Sequence, residues 1–137
     1  MSVVIDSSVA LAWIYSDEAT PAVSRVLDLV NTAGAWVPVL WRLELANVLE
    51  MGVRRGRHDN VFRDATLADL SLLPINTDPE TEEHAWGATL HLAERYRLTL
   101  YDAAYLELAK RRTIPLASLD EDLRNAAASE NVVLLGT

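Results

Sequence analysis

An α/β fold with a mainly parallel central sheet of about five short strands, covered by helices on both faces, is predicted by two observations. Short, wholly apolar segments such as Val3-Val4-Ile5 alternate with longer segments whose apolar residues recur at helical spacing. Strands that read as continuous apolar runs suit a sheet buried on both sides, which is the setting of parallel strands joined by helices.

The elements follow in order. Ser2-Val3-Val4-Ile5 is the first strand, and Ser7 or Ser8 is placed to cap a helix through Ala10, Leu11, Trp13 and Ile14. Pro21 suits the first turn of a second helix, whose stripe of Val23, Val26, Leu27 and Val30 ends near Gly34. Ala35-Trp36-Val37-Pro38 is the second strand. The spacing of Leu40, Leu43, Ala46, Val48 and Leu49 predicts a helix over Leu40 to Val53, with Gly56 as its stop. A further helix runs from about Asn60 to Ser71, and Leu73-Pro74-Ile75-Asn76 is a third strand whose proline suits a strand start or an edge. Asp78-Pro79-Glu80 reads as a capped helix start with proline at the first helical position, carrying Ala85, Ala88, Leu92 and Ala93 inward. Asp102 opens a helix through Ala103, Leu106 and Ala109, and Ile114 to Ser118 returns as a strand. A last helix from Asp120 and a last strand over Val132 to Leu135 complete the chain.

Composition narrows the function. At 137 residues, half of them hydrophobic, the chain is expected to form a single domain over residues 1–137 with one continuous core. No apolar stretch approaches the ~20 residues that cross a bilayer, and Asp6 interrupts the apolar start, so a soluble cytoplasmic protein without a signal peptide is expected. Cysteine is absent, which excludes disulfides and thiolate nucleophiles and leaves oxygen or histidine to hold any metal. A net charge of −8 opposes general attraction to a polyphosphate. There is no Gly-rich phosphate loop of the Walker type and no G-x-S-x-G elbow. Lys110, the one lysine, lies two turns into a helix, away from the strand tips where haloacid-dehalogenase-like phosphatases and receiver domains need one. His84 and His91 are too far apart for an i, i+4 zinc pair, and with His58 they read as ordinary residues. Trp13, Trp36, Trp41 and Trp86 read as core or interface packing rather than as stacking platforms for bases.

Four acidic residues stand where the chain passes between elements or inside a helix: Asp6, Glu44, Asp102 and Asp120. Aspartate at a strand-to-helix junction suits a helix cap as well as a ligand, so Asp6, Asp102 and Asp120 each admit both readings. Glu44 lies inside an apolar helix, with Asn47 one turn later on nearly the same face. Carboxylates gathered in one crevice repel one another and call for a hard divalent cation, Mg²⁺ or Mn²⁺. In a parallel sheet, ligands bind beyond the carboxyl ends of the strands, where Asp6 and Asp120 fall.

The segments around these acids resemble the PIN-domain ribonucleases, most closely the VapC toxins of type II toxin–antitoxin pairs. Val4-Ile5-Asp6-Ser7-Ser8 matches the family's opening strand, aspartate and hydroxyl residue; Glu44-Leu45-Ala46-Asn47 matches its helical glutamate with asparagine three residues later. Leu100-Tyr101-Asp102-Ala103-Ala104-Tyr105-Leu106 is close to its third motif, and Ser118-Leu119-Asp120 to its fourth, which favours Asp120 over Asp122. The resemblance spans nearly the whole chain and implies a PIN-like α/β/α sandwich. It also implies that Asp6, Glu44, Asp102 and Asp120 surround one or two Mg²⁺ or Mn²⁺ ions, with Ser8, Asn47 and Ser118 holding the carboxylates in place. The implied activity is endoribonuclease cleavage leaving a 5′-phosphate and a 3′-hydroxyl, with no covalent nucleophile. The implied partners are RNA, a VapB-like antitoxin seated on apolar positions such as Leu11, Ile14, Val26 and Val61, and a second copy of the chain. A PIN-like module that binds RNA or protein without cleaving, and a PIN nuclease of RNA processing outside a toxin pair, are the alternatives. Arg54, Arg55 and Arg57, and Lys110, Arg111 and Arg112, either guide RNA or simply complement helix C-termini.

Overall fold

The computed structural model describes residues 1–137 and contains five strands and eight helices. In chain order these are β1 (Val3–Ile5), α1 (Ser7–Ile14), a 3₁₀ turn (Ser16–Glu18), α2 (Pro21–Ala33), β2 (Ala35–Val37), α3 (Trp41–Arg54) and α4 (Asn60–Ser71). They continue as β3 (Ile75–Thr77), α5 (Thr81–His84), α6 (Ala88–Tyr96), α7 (Leu100–Arg112), β4 (Leu116–Ala117), α8 (Glu121–Ser129) and β5 (Leu134–Leu135).

All strand pairs are parallel, in the order β3-β2-β1-β4-β5. The wholly apolar β1 therefore takes the centre, where every residue is covered on both faces, and Val3, Val4 and Ile5 have no exposed surface. Its pairing with β4, Val4 opposite Leu116 and Ile5 opposite Ala117, brings the carboxyl ends of the two strands side by side. Immediately beyond those ends stand Asp6 and Ser118.

Helix α7 is the buried helix of the fold. Its residues Ala103 to Ala109 are all buried, and it packs on β1, β4, α6 and α8. Three alanines in LYDAAYLELAKRR allow this close approach, and a helix covered nearly all round shows little amphipathic contrast. Thr99 caps it by accepting the Asp102 N–H, and Thr113, at φ 54°, ends it in the left-handed region.

Three expectations need correction. Asp6, not Ser7 or Ser8, caps α1, its side chain accepting from the Val9 N–H. Asp102 lies within the first turn of α7 behind the cap Thr99. The helix expected from Asp78 is broken into α5 and α6 by Ala85-Trp86-Gly87, with Ala88 exposed and Thr89, Leu92 and Ala93 turned inward. Asp78 does not cap it. Its buried carboxylate instead accepts from Arg111 at 2.7 Å and Arg112 at 3.2 Å, and from the Thr81 hydroxyl. Burial by itself would raise that carboxyl, but the two guanidiniums outweigh it and hold it below the ordinary aspartate range.

Candidate functional site

Two adjacent crossovers build the centre of the site. Asp6 leaves β1 and is 5% exposed; its backbone N–H donates to the Ala117 carbonyl, which ties the residue to β4. Both of its carboxylate oxygens are engaged. Oδ1 accepts from the Ser8 hydroxyl and the Val9 N–H, and Oδ2 accepts from the Ser118 hydroxyl. Each serine is anchored from the other side: Ser8 Oγ accepts the Leu119 N–H at 2.9 Å, and Ser118 Oγ accepts the Asp120 N–H at 3.1 Å. Asp6 is thus fixed by hydroxyls whose own positions depend on the 118–120 backbone. Asp120 accepts the Leu123 N–H at 2.8 Å as the cap of α8, so here the cap and the candidate ligand are one residue.

Two helices supply the other acids. Glu44, half-buried on α3, accepts a hydrogen bond from the Tyr105 hydroxyl of α7, and Asp102 stands one turn before Tyr105 on the same helix. The sequence reading gives Tyr105 no role, although its i+3 spacing from Asp102 on one helical face is the signal that would have found it. Asn47 is exposed and makes no side-chain hydrogen bond to the acids, unlike Ser8 and Ser118.

The electrostatics show that the four acids share a neighbourhood. Burial pushes the Asp6 carboxyl above its ordinary range; donation from Ser118, Ser8 and Val9 opposes this, while the charge of Asp120 reinforces it. Burial also raises Glu44, with Tyr105 opposing and Asp102 and Asp6 adding to the rise. Asp102 is raised by burial and then by Asp120 and Asp6, against the Thr99 contact, with Asp122 contributing further. None of the ion pairs in the protein involves Asp6, Glu44, Asp102 or Asp120. Buried carboxylates that repel one another, offer only oxygen and lack a basic partner fit a hard divalent cation in both charge and donor type.

Other clusters are differently disposed. The donor atoms of Glu80, Glu83 and His84 lie within 4.8 Å of one another at α5, a grouping the sequence reading did not anticipate. Glu80 is already paired with Arg111 at 3.3 Å, and acidic groups on a surface commonly meet without an ion. The basic runs are largely committed to partners. Arg111 binds Asp78 and Glu107, Arg112 binds Asp78 and lies 3.5 Å over the Trp36 ring, and Lys110 pairs with Glu130. Arg57 pairs with Asp17 and stacks over Tyr15, and Arg54 pairs with Glu50. Of the tryptophans, Trp41 is buried and Trp13 and Trp36 pack partly against the core, whereas Trp86 is 91% exposed.

Against protein-family models, the PIN domain model matches residues 3–129. Comparison with curated proteins gives no match. Among solved structures, PAE2754 from Pyrobaculum aerophilum superposes with a TM-score of 0.71 at 20% identity, covering 98% of this chain and 89% of that one. VapBC2 from Rickettsia felis, bound to a DNA fragment from its promoter, gives a TM-score of 0.65 at 11% identity, covering 98% and 97%. The Mycobacterium tuberculosis toxin VapC20, described as cleaving the sarcin-ricin loop, gives 0.62 at 18% identity, covering 90% and 94%. At these identities the likeness establishes the fold.

Proposed function

The chain belongs to the PIN-domain family, and from that premise we propose that it is a divalent-metal-dependent endoribonuclease of the VapC toxin type, held in check by a cognate antitoxin. The observation that carries the proposal is the convergence of Asp6, Glu44, Asp102 and Asp120 at one end of the parallel sheet, where each feels the charge of another and none forms an ion pair. A module that only binds RNA or protein gains nothing from four mutually repelling carboxylates. The likeness to VapC20 and to VapBC2 adds support for a toxin paired with an antitoxin.

In this reading Asp6, Glu44, Asp102 and Asp120 hold one or two Mg²⁺ or Mn²⁺ ions. The bound cation supplies Lewis acidity toward a phosphodiester oxygen and offsets the carboxylate charge that would repel RNA. The remaining work belongs to the chain. Ser8 and Ser118 fix both oxygens of Asp6, so its orientation is set before substrate arrives. The α8 backbone holds Asp120 through the Leu123 N–H. The resemblance to the PIN-domain ribonucleases implies hydrolysis without a covalent enzyme intermediate, leaving a 5′-phosphate and a 3′-hydroxyl; the chain has no cysteine to serve as a thiolate nucleophile. Residues 1–137 act as a single PIN domain in the cytoplasm.

The antitoxin seat is an open groove of about 320 Å³ between α1, α2 and α4, lined by Trp13, Ile14, Leu27, Phe62, Leu70 and Leu73. Of the positions expected there, Ile14 lies in the groove, while Val26 is buried in the core. The family resemblance also implies that the chain acts as a homodimer. The test incubates antitoxin-free protein with total RNA from its host, with Mg²⁺, with Mn²⁺ and with chelator, and maps new 5′ ends beside an Asp102→Asn variant. Discrete cleavage that needs the metal and is lost in the variant supports the proposal. Folded protein that cuts no RNA with either metal overturns it in favour of a binding role.

A further inference from the structure

We infer that Tyr105 is a positioning residue for the acidic site: its hydroxyl holds one oxygen of Glu44 and leaves the other to face the cation. The inference rests on the metal-site reading above and deepens it.

Three observations carry it. The Tyr105 hydroxyl donates to Glu44 Oε1 across the gap between α7 and α3, joining residues 61 positions apart. The ring is only 1% exposed and its neighbours from Ala103 to Ala109 are all buried, so the donor is held in the core and does not wander with solvent. Tyr105 also lies one turn after Asp102, so α7 delivers a ligand candidate and a ligand-orienting donor from the same face.

The arrangement parallels that of Asp6, whose oxygens are fixed by Ser8 and Ser118. Glu44 differs in having a longer, half-exposed side chain with more rotamers to lose, and Tyr105 is its one side-chain hydrogen-bond partner. A free glutamate can chelate a cation with both oxygens. One whose Oε1 accepts from a buried phenol is held in one rotamer and turns Oε2 in a set direction.

The test measures Mn²⁺ binding by calorimetry on purified full-length protein, without substrate, for wild type, Tyr105→Phe, Glu44→Ala and the double variant. Phenylalanine keeps the buried ring and removes only the hydroxyl. Expected is a rise in Kd of about tenfold for Tyr105→Phe, the lower end of what losing a ligand's supporting contact brings, and no further rise when the same change is added to Glu44→Ala. A purely structural role would weaken binding equally in both backgrounds, and that result, or an unchanged Kd in Tyr105→Phe, overturns the inference while leaving the metal site standing. Wild type that binds no Mn²⁺ overturns the metal site itself, and the inference with it. A second measurement needs no variant. In wild type labelled with ¹³C at tyrosine Cζ, the Tyr105 resonance should shift along the Mg²⁺ binding isotherm, and a resonance that stays still while Mg²⁺ binds refutes the coupling.

Discussion

Replacing Asp6 by asparagine separates the fold from the metal. The shape is nearly unchanged, and asparagine caps a helix as well as aspartate does, so acceptance of the Val9 N–H survives. Ser118 Oγ and Ser8 Oγ each accept one backbone N–H and have a lone pair left for the new amide group. What disappears is a negative charge in a 5% exposed position beside Asp120, where burial is the dominant influence and opposes ionisation. Without metal, the variant should therefore melt no lower than wild type. With metal, the two diverge. A cation at a hundred times its Kd stabilises the native state by about 2.7 kcal/mol, and a domain of this size gains about 4 °C in Tm per kcal/mol, or roughly 10 °C in all. Scanning calorimetry with chelator and then with Mg²⁺ should show that rise in wild type and a small fraction of it in Asp6→Asn. An equal rise in both would refute the assignment of Asp6 to the cation. A variant that unfolds well below wild type in chelator would refute the claim that its charge is a burden to the empty site.

Three more expectations follow from contacts described above. The Asp6, Glu44 and Asp102 carboxyls are all raised in the folded protein, so the native state holds their protons more tightly than the unfolded chain and stability is lost as pH rises through their folded values; in chelator, the Tm of Asp6→Asn minus that of wild type should grow as pH rises above the ordinary aspartate range of about 4, and a constant difference would contradict this. Asp78→Asn leaves Arg111 and Arg112 without the fully buried carboxylate they share and should cost about 3–5 kcal/mol in urea unfolding, a loss under 1 kcal/mol being incompatible with the network. A Cβ at Gly52 would stand 2.4 Å from His58 Nε2 and drive the ring from the Tyr15 hydroxyl, so Gly52→Ala should destabilise wild type yet stabilise a His58→Ala background by about 1 kcal/mol, the ordinary helical gain over glycine; the same sign in both backgrounds would discount the contact.

The sequence carried the sheet well and pointed to four acids that the fold brings into one neighbourhood, for identifiable reasons. Apolar β1 reads as buried on both faces because the centre of a parallel sheet admits nothing else, and Asp6, Glu44, Asp102 and Asp120 announce themselves through short motifs in a fixed order. The cap of α1 was misplaced because Asp6 and Ser8 are both favoured capping types two residues apart; a central aspartate held by serines at either hand cannot be told from a serine cap by propensity. The Asp78-Pro79 start failed because Asp78 serves two arginines more than 30 residues later, a long-range demand no local pattern shows. Asn47 matched its motif yet is exposed without a partner, whereas Tyr105 reaches Glu44 across two helices that only the folded sheet brings together.

The bond from Ser118 to Asp6 spans 112 positions, and that separation sets a timetable. A chain translated only through α7 already contains Asp6, Glu44 and Asp102, yet lacks both the hydroxyl that steadies Asp6 and the strand β4 that completes the sheet beside it. On the nuclease reading, a chain made only that far carries three of the four blades and no rivet: the parts that cut are translated before the part that sets them.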